Sequence, residues 1–250
     1  MAGNGMVGYN RTVKLIWLDS VAGLAAAGKS DAEIHANLSQ MLGERLSPGS
    51  NAKRGSREKT ITLLLKTWVR VPGQLRAFRD EGLTMFQTLP QEDRLALHWG
   101  MTFAVYPFCM TVAQVVGRSL RLQEQVVAAQ VQRRVRELLG ERETVARSTR
   151  YVLRAFVDWG ALVDVGVRKG IQRAAPARPL SDPRVAGWLL EAVLRAGGGQ
   201  PVLAKALVTS AALFPFALSQ GVAAAALGSR RFEVSTLGPD QDMVDLRAVP

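Results

Sequence analysis

The sequence predicts a mainly α-helical protein, with an N-terminal helical bundle over residues 1–117 and a winged helix-turn-helix with additional C-terminal helices over 118–250. Three observations carry this. Apolar residues recur at helical spacing through the first half with no strand signal. Residues 127–173 then run helix, short turn, helix, glycine, hairpin. Finally, the formal net charge of +11 is concentrated in two stretches.

The N-terminus MAGNGMVGYN lacks the basic start and apolar core of a signal peptide and reads as a short tail. From Arg11 to Ala27, Val13, Ile16, Trp17, Val21 and Leu24 mark a first helix, which Gly28 stops. Ser30-Asp31-Ala32-Glu33 is a capping box, so a second helix runs from about Asp31 to Leu42. A linker from Gly43 to Ser56, rich in Ser, Pro, Gly and Asn, leads into a third helix over Arg57–Val71, stopped by Pro72-Gly73. A fourth covers Gly73–Leu89, and Pro90 opens the next. Tyr106-Pro107-Phe108 interrupts the pattern before a helix resumes to about Leu122.

Val127–Leu139 is then a helix with Val131, Val135 and Leu138 on its buried stripe, ended by Gly140-Glu141. Thr144 is the expected cap of a helix reaching Trp159, with Val145, Val152, Phe156 and Trp159 facing inward. Thr144, Arg147, Arg150, Tyr151 and Arg154 fall near the other face. Leu162–Val167, a turn at Arg168-Lys169-Gly170, and Ile171-Gln172-Arg173 read as a hairpin.

Glu44–Arg79 carries 9 basic and 2 acidic residues, and Arg118–Arg178 carries 13 and 6. The rest of the chain therefore nets −3. A surface with such a surplus attracts polyanions. A recognition helix needs donors that reach base edges, and a wing brings positive charge to a phosphate or the minor groove. Arg147, Arg150 and Arg154 suit the first task; Arg168, Lys169 and Arg173 suit the second. Lys53, Arg54, Arg57 and Lys59 are candidates for extending this footprint on double-stranded DNA.

Other signals are weaker. Gly23–Ser30 fits the phosphate-loop pattern G-x-x-x-x-G-K-[ST], but no strand signal precedes it, and a helix stop followed by a cap explains the same letters. The uncharged stretch 206–227 has the length of a membrane span, yet Pro215 and its hydroxyl residues fit two core helices split near Phe214-Pro215-Phe216 equally well. The single cysteine, Cys109, and the two histidines, His35 and His98, leave little for a disulfide or metal site. A Cys109–His98 pair stays open on sequence grounds. The expectation is a non-enzymatic cytoplasmic protein with no cofactor or metal. A protein-interaction adaptor and a membrane-associated protein are the alternatives.

Several stretches resemble one family. They are Asp93–Trp99 (DRLALHW), Tyr106-Pro107-Phe108, Gly140-Glu141-Arg142 with Val157-Asp158-Trp159-Gly160, and Arg231-Phe232-Glu233 with Leu237-Gly238-Pro239-Asp240. Taken in order from about Thr12 to Val244, they resemble BrxA, a component of BREX bacteriophage-exclusion systems. The family's tails carry Gly-Leu-Asp where this chain has Leu-Gly-Pro-Asp. The resemblance implies a small helical DNA-binding protein that acts beside other phage-defence proteins. It assigns no individual DNA contact.

Overall fold

A computed structural model describes residues 8–43, 55–166, 170–238 and 241–247, and within them the chain is mainly helical with three small sheets. Local chemistry sets the first elements. Helix α1 (Leu15–Ala26) ends before Gly28, whose φ of +72° suits glycine best. Helix α2 (Asp31–Gly43) opens on the expected box: the Ser30 N–H donates to Glu33 Oε2 at 2.8 Å, and the Glu33 N–H donates to Ser30 Oγ at 3.3 Å. The Ser30 backbone bond leads the causes that pull the Glu33 carboxyl down to about 2.

Helix α3 (Ser56–Trp68) stops three residues early, because Arg79 Nη1 reaches the terminal carbonyls of Trp68 and Val69 at 3.0 and 3.1 Å. Helix α4 (Arg76–Thr88) follows a 3₁₀ turn at Gly73–Leu75. Helices α5 (Leu95–Val105) and α6 (Pro107–Leu122) meet at Tyr106 with a bend of 119°, and Pro107 occupies the first turn of α6. The expected domain boundary at 117/118 lies inside α6.

Next come β1 (Gln125–Val127), α7 (Ala128–Leu139), α8 (Glu143–Asp158), β2 (Leu162–Asp164) and β3 (Ile171–Ala174). Strand β1 has no counterpart among the elements expected from the sequence. Gly140 turns the chain between α7 and α8 at φ +98°. Val145, Val152, Phe156 and Trp159 are buried as expected, whereas Leu138 is 60% exposed, because the buried stripe of α7 ends at Val135.

The remaining elements are β4 (Arg178–Leu180), α9 (Pro183–Ala196), β5 (Val202–Leu203), α10 (Ala204–Val208), β6 (Phe216–Leu218), α11 (Gln220–Leu227), β7 (Phe232–Thr236) and β8 (Asp242–Leu246). Stretch 206–227 is thus neither one long helix nor two core helices. Its own hydroxyls divide it: Ser210 Oγ accepts from the Ala212 N–H and Ser219 Oγ from the Val222 N–H, both at 3.3 Å, each starting a short helix. Among the described residues no single helix is long and apolar enough to cross a membrane.

One order of elements occurs twice. The run α6-β1-α7-α8-β2-β3 forms a sheet of order β1-β3-β2, and α9-β5-α10-α11-β7-β8 forms one of order β5-β8-β7. Both sheets are antiparallel. Each leading helix starts with a proline and packs on the two helices that follow it. Between α10 and α11, the second run gains β6, which pairs in parallel with β4.

Close approaches join the layers. Trp188 of α9 stacks on Phe78 of α4 at 4.2 Å and donates from Nε1 to the Phe78 carbonyl at 3.0 Å. It fits because Gly82 and Gly100 lack side chains: a Cβ there would lie 2.8 and 2.4 Å from its ring. Trp99 of α5 stacks on Phe156 of α8 at 4.5 Å and donates from Nε1 to the Ala212 carbonyl at 3.0 Å. A single hydrophobic core therefore runs from α1 to β8.

Candidate nucleic-acid interface

Helix α8 carries five of the twelve residues predicted for the site, Thr144, Arg147, Arg150, Tyr151 and Arg154. Its N-cap is Arg142, with no side-chain cap, so Thr144 is not the capping residue. The helix starts two residues earlier than expected and leaves Thr144 exposed in its first turn. Arg147, Arg150 and Arg154 are all exposed, opposite the buried Val145, Val152, Leu153 and Phe156.

The three arginines differ in their restraint. Arg147 has no acidic partner among the described residues. Arg150 Nη2 lies 3.6 Å from Glu143 Oε1, an exposed pair of small energetic weight. Arg154 is tied to the sheet: its Nη1 donates to Asp164 Oδ2 at 2.7 Å, and Gln172 Nε2 donates to Asp164 Oδ1 at 2.9 Å. The β2–β3 hairpin thus fixes the orientation of the last arginine on the helix. Arg173 is exposed on β3, opposite Gln125 and Val163. Arg168 and Lys169 lie outside the described residues, as do Lys53 and Arg54. The glycines flanking the hairpin tip, Gly166 and Gly170, have φ of +67° and +112°.

Arg57 and Lys59 sit elsewhere, on α3, which packs against α1, α2 and α5, whereas α8 packs against α6, α7 and β2. The segment before α1 lies between the two regions. It is no free tail from Gly8 onward: Tyr9 is buried against Tyr106 with ring centroids 5.6 Å apart, and Trp159 Nε1 donates to the Val13 carbonyl at 2.9 Å. On one side of this segment the Arg11 guanidinium stands 6.0 Å from the centroid of the half-buried Tyr151 ring. On the other, Asn10 lines a hollow of about 510 Å³ with Lys59, Lys66 and Arg70. Arg70 is held there by Asp31 at 2.6 Å, and that bond keeps the Asp31 carboxyl below its ordinary value.

Sequence reasoning missed Arg11, whose partner lies 140 positions away. It also passed over α7, where Arg133, Arg134 and Arg136 add charge that Glu137 and Glu141 partly offset at 3.1–3.7 Å. The open question of a thiol–histidine pair resolves: Trp68 Nε1 donates to His98 Nδ1 at 3.1 Å, and His98 Nε2 faces Asp19 Oδ1 at 2.8 Å. Neither ring nitrogen remains for Cys109. The Gly23–Ser30 pattern runs from inside α1 across the turn to α2. Among the described residues no group of three or more His, Cys, Asp or Glu side chains could hold a metal ion. Comparison with protein-family models, curated proteins and solved structures found no match for the chain.

Proposed function

We propose that this protein binds duplex DNA through a winged helix-turn-helix formed by α6 to β3, as a non-enzymatic cytoplasmic component of a BREX-type phage-defence assembly. The observation that carries the DNA reading is the pairing of topology with charge. A helix, a strand, two helices and a hairpin with sheet order β1-β3-β2 is the arrangement of a winged helix, and α8, its second turn-helix member, exposes Arg147, Arg150 and Arg154 on one face. Arg173 supplies charge from the wing, and Arg168 and Lys169 occupy its tip in sequence. The defence setting rests on the resemblance to BrxA.

Contacts of this kind go mainly to phosphates, so affinity is largely electrostatic and sequence preference modest. The test is an electrophoretic shift on random duplex at two salt concentrations with wild type and R147E/R150E. We expect the double variant to weaken binding on every sequence and to lower the salt slope by about one unit for each phosphate that is no longer neutralised. Unchanged binding by a variant whose circular dichroism matches wild type would overturn the assignment of α8.

A further inference from the structure

A second cationic feature lies away from α8. A pocket of about 600 Å³ opens between α4, α9, the turn from α11 to β7, and the end of β8. That volume suits a small ligand of nucleotide size. Its wall holds five arginines, at 184, 195, 230, 231 and 247, against two acids, Glu81 and Glu191.

The acids are already committed. Arg231, with its side chain only 13% exposed, donates to Glu191 Oε2 at 2.6 Å and to Glu81. Arg195 shares Glu191 at 2.7 Å. Arg184 leans on Asp182 at 2.7 Å, at the start of α9. Arg230 and Arg247 have no acidic partner among the described residues, so the pocket keeps a positive excess that its own side chains do not neutralise. Ser229, beside them in the wall, has a buried Oγ with no hydrogen-bond partner. Phe78 contributes an apolar surface.

We propose that this pocket binds a small phosphate-bearing ligand. Guanidinium forks match the paired oxygens of a phosphate, and the two arginines without an acid reach one opening from different elements, the α11–β7 turn and the end of β8. A fixed floor supports them, since the buried Glu191 accepts from the half-buried Arg231 and Arg195 at 2.6 and 2.7 Å. The inference is independent of DNA binding by α8.

Isothermal titration of the full chain at constant ionic strength tests it, with pyrophosphate, adenosine triphosphate and citrate as probes. Saturable binding of a phosphate probe below about 1 mM is expected, weakened at least about tenfold in R230A/R247A and unchanged in R147E/R150E. Equal binding of both phosphate probes assigns the interaction to the phosphates alone; tighter binding of the nucleotide adds a contribution from the apolar wall. The proposal is overturned by the absence of saturable phosphate binding, by citrate binding equal to pyrophosphate, or by binding that survives R230A/R247A. Both arginines are exposed, and the removal gives up the hydrogen bond from Arg247 Nη2 to the Phe232 carbonyl at 3.3 Å, so circular dichroism of R230A/R247A matching wild type accompanies the comparison.

Discussion

Gly117→Ala puts the tightest glycine position among the described residues to a direct test. An alanine Cβ at this position of α6 would lie 2.0 Å from the Ala211 carbonyl oxygen and 2.9 Å from its carbon. Carbon and oxygen sit comfortably only at about 3.3 Å and beyond, so the 211–213 turn has to retreat by about 1.3 Å. That turn is buried, and the retreat draws the Ala212 carbonyl away from Trp99 Nε1, now 3.0 Å distant. An orphaned indole N–H costs about 1–3 kcal/mol and the loosened packing about as much again, against about 1 kcal/mol gained from helix propensity. The expected net loss is about 1–5 kcal/mol, read by urea denaturation with tryptophan fluorescence. Gly23→Ala in α1 is the internal control. There the new Cβ meets only a Phe86 ring carbon at 3.8 Å, and the substitution should stabilise the fold by about 0.5–1 kcal/mol. A Gly117→Ala protein as stable as wild type would refute the argument from steric closeness.

Trp99→Phe keeps an aromatic ring but removes the donor to Ala212 and part of the stack on Phe156, and should cost about 2–3 kcal/mol in the same assay. Burial holds the His98 imidazole below its ordinary value of 6.5, against the opposing pull of Asp19. The unfolded chain then takes up the proton more readily, so this contribution to stability is complete above pH 6.5 and is lost as pH falls through the lower folded value. Denaturation midpoints measured across that window should slope in wild type and lie flatter in His98→Gln. Burial also pushes the Cys109 thiol well above its usual range, so a thiol reagent at neutral pH should leave the folded protein unlabelled and react only on unfolding.

What the sequence made legible was local. The Ser30–Glu33 box, the stop at Gly28, the turn at Gly140 and the interruption at Tyr106-Pro107-Phe108 each depend on residues within a few positions of one another. The inward stripe of α8 was equally plain, because Val145, Val152 and Phe156 repeat at helical period over about three turns. The failures were of another kind. Strands β1, β5 and β6 span two or three residues, too few for alternation to register. Leu138 continues the spacing of α7 beyond the point where a neighbour covers it. Arg154 and Asp164 were both visible as charges, but only the returning hairpin brings them to 2.7 Å. The approach of Arg11 to Tyr151 and the arginine pocket at α9 depend on the tertiary fold alone. The repeated order of elements was hidden because α11, QGVAAAAL, shares almost nothing with α8, ETVARSTRYVLRAFVD.

That dissimilarity bears on how the chain assembles. Two segments with the same strand order, joined in one polypeptide, pose a sorting problem during folding, since a strand or helix from one can dock into the frame of the other. Here the side chains act as a size code. The first frame is filled by Val152, Phe156 and Trp159, and the second, at the corresponding helix, by Ala223 and Ala226. Exchange of the two helices would force aromatic rings into a space shaped for methyl groups and leave a void where the rings belong, each mismatch costing several kcal/mol by the usual penalties of about 1–3 for overpacking and 3–5 for a lost Phe or Trp. The difference between the two runs therefore disfavours exchanged forms and favours correct pairing of each helix with its own sheet.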